Sequence, residues 1–162
     1  MLSYSQSNLT PEEVDLKNTF EEILGEYDDV FSREGISLQT DFPDKLVLNA
    51  NRQFFRDILQ NLIDNSVKAM AKSEQKVIRC SYEVQNDMLE ILVSDTGIGI
   101  PQEDNEQIFA LYYTTTELQG GAGVGLYIVK TRVQSLGGSV AVVDSEFGEI
   151  GTTIKITIPF KK

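Results

Sequence analysis

The chain of 162 residues contains no histidine and one cysteine. The first absence excludes a histidine general base, a histidine metal site and a histidine phosphoacceptor within these residues. The second excludes an intramolecular disulfide framework and points to a reducing interior. Cys80 stands in a strand-like stretch, where a small buried thiol is the expected role. No run of about 18 apolar residues occurs, so no membrane-spanning helix and no membrane contact are expected. The amino-terminal residues lack the basic and apolar regions of a signal peptide. Basic residues are scarce: 14 Lys and Arg face 25 Asp and Glu, for a net charge of −11. A broad nucleic-acid surface needs the opposite sign, so no nucleic-acid partner is expected. An anionic ligand would be repelled at long range and would need a divalent cation and local donors. The scarcity is sharpest from Pro101 to Gly125, a stretch with neither Lys nor Arg.

What is present suits one soluble domain with a sizeable core: the length is that of a single domain and 41% of residues are hydrophobic. Residues 1–13 read as a polar lead or the remnant of a linker, and residues 14–162 as the domain. Thr10-Pro11-Glu12-Glu13 has the form of a capping box, with Asp15 an equally good cap. Leu16, Phe20, Ile23, Leu24, Tyr27 and Phe31 fall at helical spacing and predict one helix, followed by Gly35. Ile36, Leu38 and Thr40 alternate as a strand. Lys45 to Leu48 is a second short strand, expected to pair with it as a hairpin.

Asn51 suits the cap of a long helix that buries Phe54, Phe55, Ile58, Leu59, Leu62 and Ile63. Lys76 to Val84 and Met88 to Ser94 read as strands around an Asn86-Asp87 turn, a hairpin at the centre of the sheet. Residues 98–120 break the pattern, and a loop of that length in a compact domain is usually functional or disordered. Gly123 to Leu136 reads as a helix stopped by Gly137-Gly138. Val140 to Val143 and Thr152 to Ile158 close the chain as strands joined by a turn around Gly148. The class is α+β: a two-layer sandwich, one mixed sheet covered on one face by helices.

Three stretches carry chemistry. Asp95-Thr96-Gly97-Ile98-Gly99-Ile100-Pro101 ends a strand with a carboxylate, then supplies glycines that let backbone approach a flat ligand. A plain strand-to-loop turn has the same spelling. Asn61, Asn65 and Lys68 are spaced i, i+4, i+7 and share one helix face. That is either a solvated stripe or a neutral amide oxygen for Mg²⁺ beside phosphates, with Lys68 as a point charge. Gly121, Gly123 and Gly125 precede a helix start, where backbone N–H groups and the helix dipole attract an anion. No Gly-Lys-Ser/Thr follows, so this is not a Walker loop.

With Gly148-Glu149-Ile150-Gly151-Thr152-Thr153 added, these stretches resemble, in order, the N box and three glycine boxes of the histidine-kinase catalytic and ATP-binding domain. That domain belongs to the Bergerat (GHKL) ATP-binding folds shared with gyrase, Hsp90 and MutL. The resemblance spans roughly residues 14 to 160. It implies ATP and Mg²⁺ as cofactors, with Asn65 contacting magnesium and Asn61 and Lys68 beside the phosphates. It implies that Asp95 accepts the exocyclic amine of adenine, with Thr152 helping through water and Gly97, Gly99 and Ile100 near the base. Gly121, Gly123, Val124, Gly125 and Leu126 would face the phosphates. Phe109, Tyr112 and Tyr113 match the aromatic box of the family's ATP lid; a hydrophobic plug for the core is the plainer reading of that group. Related lids often carry a Lys or Arg toward the γ-phosphate after a Thr-Thr pair. Here Thr114-Thr115 is followed by Thr116 and Glu117.

The implied function is γ-phosphoryl transfer to a histidine on a separate dimerisation domain, for relay to a response regulator. ATP dependence and thiol usage imply a cytoplasmic site, with the full-length protein free to be membrane-anchored. The hydrolytic clamps of the gyrase, Hsp90 and MutL type place a glutamate base where Asn61 stands, and an amide cannot abstract a proton from water. A Ser/Thr kinase of the anti-sigma-factor type and a non-catalytic ATP-binding module are the alternatives.

Overall fold

A computed structural model describes residues 11–43, 45–110 and 124–160. In chain order they form β1 (Glu12–Asp15), α1 (Leu16–Gly25), α2 (Asp28–Glu34), β2 (Ser37–Asp41), β3 (Val47–Ala50), α3 (Arg52–Ala69), β4 (Val77–Gln85), β5 (Met88–Asp95), α4 (Gly125–Ser135), β6 (Ser139–Val143) and β7 (Thr152–Pro159). Two short 3₁₀ turns, Gln102–Asp104 and Gln107–Phe109, precede α4. A five-stranded sheet has the order β2-β4-β5-β7-β6; β2 runs parallel to β4 and the other pairs are antiparallel. β1 and β3 form a separate antiparallel ribbon. The expected α+β layering, a mixed sheet with helices on one face, is the one observed.

Side-chain alternation makes that layering. Along β5, Leu89, Ile91 and Val93 are buried toward the helices, whereas Glu90 and Leu92 are only partly covered. β7 repeats the pattern with Ile154, Ile156 and Ile158. Ile91 and Ile156 are partners in register and are 1% and 0% exposed. Burying a side chain of this size stabilises by about 1.5–3 kcal/mol. The opposing layer is α3, whose buried residues Phe55, Ile58, Leu59, Leu62, Ile63 and Ser66 follow one helical stripe. Its first turn is capped by Asn51, whose side chain accepts from the Gln53 N–H at 2.9 Å. The β4–β5 hairpin turns at Asn86 and Asp87, both at positive φ (53° and 64°), as a two-residue turn matched to strand twist requires.

Three expectations are corrected. Glu12 and Glu13, read as part of a loosely held lead, are the first residues of β1; of the two caps offered for α1, Asp15 is the one used, accepting from the Asn18 N–H. The single helix from Leu16 to Phe31 is two helices. Backbone N–H groups of Glu26 and Tyr27 bond back only three residues, to Ile23 and Leu24, which tightens and ends α1. Tyr27 then starts α2, its hydroxyl donating to Asp64 on α3 at 2.8 Å. Finally, β3 pairs with β1 and not with β2. Its alternate residues Leu48 and Ala50 reach the core beside Val14, whereas every residue of β2 is exposed.

Candidate functional site

The inward-facing period of β5 ends on a carboxylate. After Leu89, Ile91 and Val93 the next residue on the helix side is Asp95, 6% exposed. Its register partner on β7 is Thr152, which begins that strand's inward series. The two thus stand side by side at one end of the central strands, beneath the last turns of α3. Three donors hold the carboxylate. Ser66 Oγ on α3 donates to Oδ2 at 2.8 Å, and the Gly97 N–H donates to Oδ1 at 2.9 Å. The Thr152 backbone N–H is the third. Burial pushes the Asp95 carboxyl above the ordinary carboxylate range, and these hydrogen bonds pull it back by favouring the charged form.

A narrow pocket opens over Asp95, lined mostly by apolar surface: Leu62, Val93 and Ile154 below, with Ser66, Asn65, Gly99, Ile100, Leu126 and Thr152 around it. A flat apolar body with one hydrogen-bonding edge suits such a slot. A larger open cleft lies elsewhere, between the 3₁₀ turns, α4 and β6, and contains Phe109, Glu103, Glu106 and Lys130. It contains no buried ionisable group, and the chemistry favours the smaller pocket.

The loop after β5 is tied to the end of α3. The Ile98 N–H donates to the Ala69 carbonyl at 3.1 Å, and a Cβ on Gly97 would stand 2.7 Å from that same oxygen. Gly97 is therefore small to pack on the helix end, and its N–H, not its open face, serves the pocket. Gly151 is the tightest position. Its φ is +79°, and a Cβ there would lie 1.8 Å from the Asp95 carbonyl oxygen.

The start of α4 meets α3 at two amides. A Cβ on Gly125 would lie 3.0 Å from Asn61 Oδ1 and 3.6 Å from Asn65 Nδ2. Asn61 Nδ2 donates to the Asp57 carbonyl at 2.6 Å, which turns Oδ1 toward α4. Asp57 in turn accepts from Arg132 Nε on α4 at 2.8 Å, and the Arg132 guanidinium lies 5.4 Å from the Phe54 ring. Phe54, expected in the core, is instead half-buried, with Arg132 over its ring. Val124 caps α4 without a side-chain hydrogen bond.

Six of the sequence-predicted residues therefore meet in one pocket: Asn65, Asp95, Gly99, Ile100, Leu126 and Thr152. Asn61 and Gly125 adjoin it. Lys68 is exposed in the last turn of α3, outside the pocket lining. Phe109 is 5% exposed and belongs to the hydrophobic core, the plug of the plainer reading. Tyr112, Tyr113, Gly121 and Gly123, with the threonine run, lie outside the described residues. Ser66 was missed. Its only sequence signal is a hydroxyl on the inward stripe of α3, four residues after Leu62.

Residues 50–162 match the family of histidine kinase-, DNA gyrase B-, and HSP90-like ATPases. The chain belongs to this family. It is 37% identical over 121 residues to the aerobic respiration control sensor protein ArcB of Escherichia coli strain K12, covering 72% of this chain and 15% of ArcB. It is 38% identical over 115 residues to the signal transduction histidine-protein kinase ArlS of Staphylococcus haemolyticus, covering 68% of this chain and 24% of ArlS. The chain thus spans less than a quarter of these two relatives' length. The catalytic domain of histidine kinase ThkA superposes with a TM-score of 0.82 at 24% identity, covering 93% of this chain and 96% of that one. ThkA is also known in complex with the response regulator protein TrrA, where the TM-score is 0.74 at 22% identity over 93% of this chain and 42% of ThkA. These two likenesses establish the fold, and family membership makes this an ATP-binding domain of the histidine kinase-, gyrase B- and HSP90-like type, whose relatives ArcB and ArlS are named a sensor protein and a histidine-protein kinase. No helix among the described residues is long and apolar enough to cross a membrane.

Proposed function

We propose that the chain binds ATP·Mg²⁺ and presents the γ-phosphoryl group to a histidine outside these residues, for relay to a response regulator. The observation that carries this reading is Asp95: a buried carboxylate, held by Ser66, Gly97 and Thr152, at the floor of a mostly apolar slot. Its two oxygens offer about four acceptor sites, and the three protein donors leave one of them open. That site accepts the exocyclic amine of adenine; guanine presents a carbonyl there and is rejected. Thr152, in register with Asp95, adds a hydroxyl at the same edge.

The donor set suits magnesium bound mainly to the nucleotide. Among the described residues no cluster of three or more His, Cys, Asp or Glu exists to cage an ion. Asn65 offers a neutral amide at the pocket wall, enough for a cation that keeps phosphate and water ligands. When bound, Mg²⁺ supplies charge neutralisation on the triphosphate. Asn61 and Gly125 orient the junction of α3 and α4 beside that tail. Phosphoryl transfer asks the protein for positioning and charge stabilisation, with little covalent chemistry of its own. The incoming imidazole is the nucleophile, which agrees with the lack of histidine in this sequence. The ThkA–TrrA complex supports a response regulator as the downstream partner.

The test mixes γ-labelled ATP with this chain and a histidine-bearing dimerisation domain. Acid-labile label on that domain is the expected result. Acid-stable phosphoserine on a partner would instead indicate a Ser/Thr kinase, and nucleotide binding with no transfer a non-catalytic module.

A further inference from the structure

A closed ring of hydrogen bonds lies on the reverse side of the sheet, directly behind the Asp95–Thr152 pair. Ser94 precedes Asp95, Thr153 follows Thr152, and the two are partners in register. Alternation turns their side chains to the face opposite the pocket. Ser94 Oγ donates to Glu146 Oε1 at 2.6 Å and lies 2.8 Å from Thr153 Oγ1. The Glu146 N–H donates to Thr153 Oγ1 at 2.9 Å. A hydroxyl has one proton. That of Ser94 is committed to the carboxylate, so Thr153 donates to Ser94. The ring then runs from the Glu146 N–H through Thr153 and Ser94 back to the Glu146 carboxylate, each hydroxyl donating once and accepting once. Both hydroxyl residues are 0% exposed.

The ring holds the β6–β7 connection in place. Ser145 stiffens the same turn, its Oγ donating to the Ile150 carbonyl at 2.6 Å and accepting from the Phe147 N–H at 3.1 Å. The connection ends at Gly151, which is wedged against the Asp95 backbone and lies 3.2 Å from where a Gly99 Cβ would be. Backbone at Gly151 therefore supports both the end of β5 and the Gly97–Ile100 loop.

We propose that Glu146 is a positioning residue for adenine recognition, acting through Ser94 and Thr153 on the paired strand ends that carry Asp95 and Thr152. This rests on the reading of Asp95 as the acceptor of the adenine amine. Affinities for ATP and for purine riboside triphosphate, which lacks that amine, are measured by calorimetry with magnesium present. Wild type binding ATP more tightly than the analogue checks the Asp95 reading by itself; equal affinities would overturn that reading and the role of Glu146 with it. In Glu146→Ala the ATP affinity falls about three- to tenfold, the loss expected from one hydrogen bond, while the analogue is held as before. Glu146→Gln keeps an Oε1 acceptor for Ser94 and stays near wild type. If wild type discriminates but Glu146→Ala keeps the wild-type ratio of the two affinities, whether both hold or both fall, Glu146 has no such role. Failure of Glu146→Gln to restore the ratio would overturn it equally.

Discussion

Ser66 Oγ, on the inward stripe of α3, donates to Asp95 Oδ2 on β5 at 2.8 Å, joining the two layers of the domain at the floor of the pocket. The bond favours the ionised carboxylate, opposing the burial that favours the protonated one. Because the folded-state value of Asp95 lies above the unfolded one, its contribution to stability is complete below the unfolded carboxylate range and is lost as pH rises through the folded value. Adenine binding has the opposite dependence, since only the ionised form offers an acceptor to the amine. ATP affinity therefore falls as pH drops through the Asp95 titration. Ser66→Ala removes a stabiliser of the charged form, so that fall begins at higher pH, and at neutral pH the variant binds ATP about 1 kcal/mol more weakly. Calorimetric titrations of both proteins across pH check this. Coincident acid limbs would mean that Ser66 does not tune Asp95.

Glycine substitutions separate packed positions from open ones. At Gly151 a side chain meets the Asp95 carbonyl in a backbone of φ +79°, so Gly151→Ala costs about 1–3 kcal/mol for the dihedral alone, with the collision added. For a domain of this size that lowers Tm by at least roughly 2–4 °C per kcal/mol. Gly25, at the end of α1, has nothing within 4 Å of where a Cβ would be, so Gly25→Ala leaves Tm unchanged or slightly raised. Thermal denaturation of the two variants makes the comparison.

Asn65 acts through the cation on this account. In Asn65→Ala, ATP affinity with magnesium falls by about tenfold or more, the scale seen when support for a bound metal is lost. With EDTA in place of magnesium the variant and wild type bind ATP alike. Fluorescence titration with a labelled ATP analogue, with and without magnesium, reads the difference. An equal loss in both conditions would assign Asn65 to the nucleotide itself.

Arg132 joins α4 to α3 by its ion pair with Asp57 and its position over Phe54. The two side chains are 36% and 22% exposed, so the pair contributes about 1 kcal/mol, screened by salt. The ring contact adds about 0.5–1 kcal/mol. Arg132→Met lowers Tm by a few degrees, and the gap narrows in high salt. A gap that does not respond to salt would show that packing, not charge, joins the helices.

Local chemistry was the legible part of this fold. Asn51 and Asp15 announce helix starts because a short polar side chain can satisfy an orphan N–H. Asn86-Asp87 announces a turn because both tolerate positive φ. The pairing of β3 with β1 was hidden because it depends on which strand reaches the core, and neither strand encodes its partner locally. The break at Glu26 was hidden because the apolar spacing of α1 and α2 continues across it. In the site, Asp95, Asn65 and Thr152 were legible from spelling and order. Ser66 was not, because a hydroxyl on a buried helix stripe reads as a tolerated polar residue until a carboxylate is seen opposite it. The work of Gly97 was likewise hidden, since its neighbour Ala69 is supplied by α3.

The most direct measurement is a calorimetric titration of Mg·ATP into the wild-type chain and into Asp95→Asn. The account predicts a single saturable site in the wild type and binding weaker by about 1–3 kcal/mol in the variant, the cost of a spoiled buried hydrogen bond. No heat with wild type, or equal affinity in the two proteins, would contradict it.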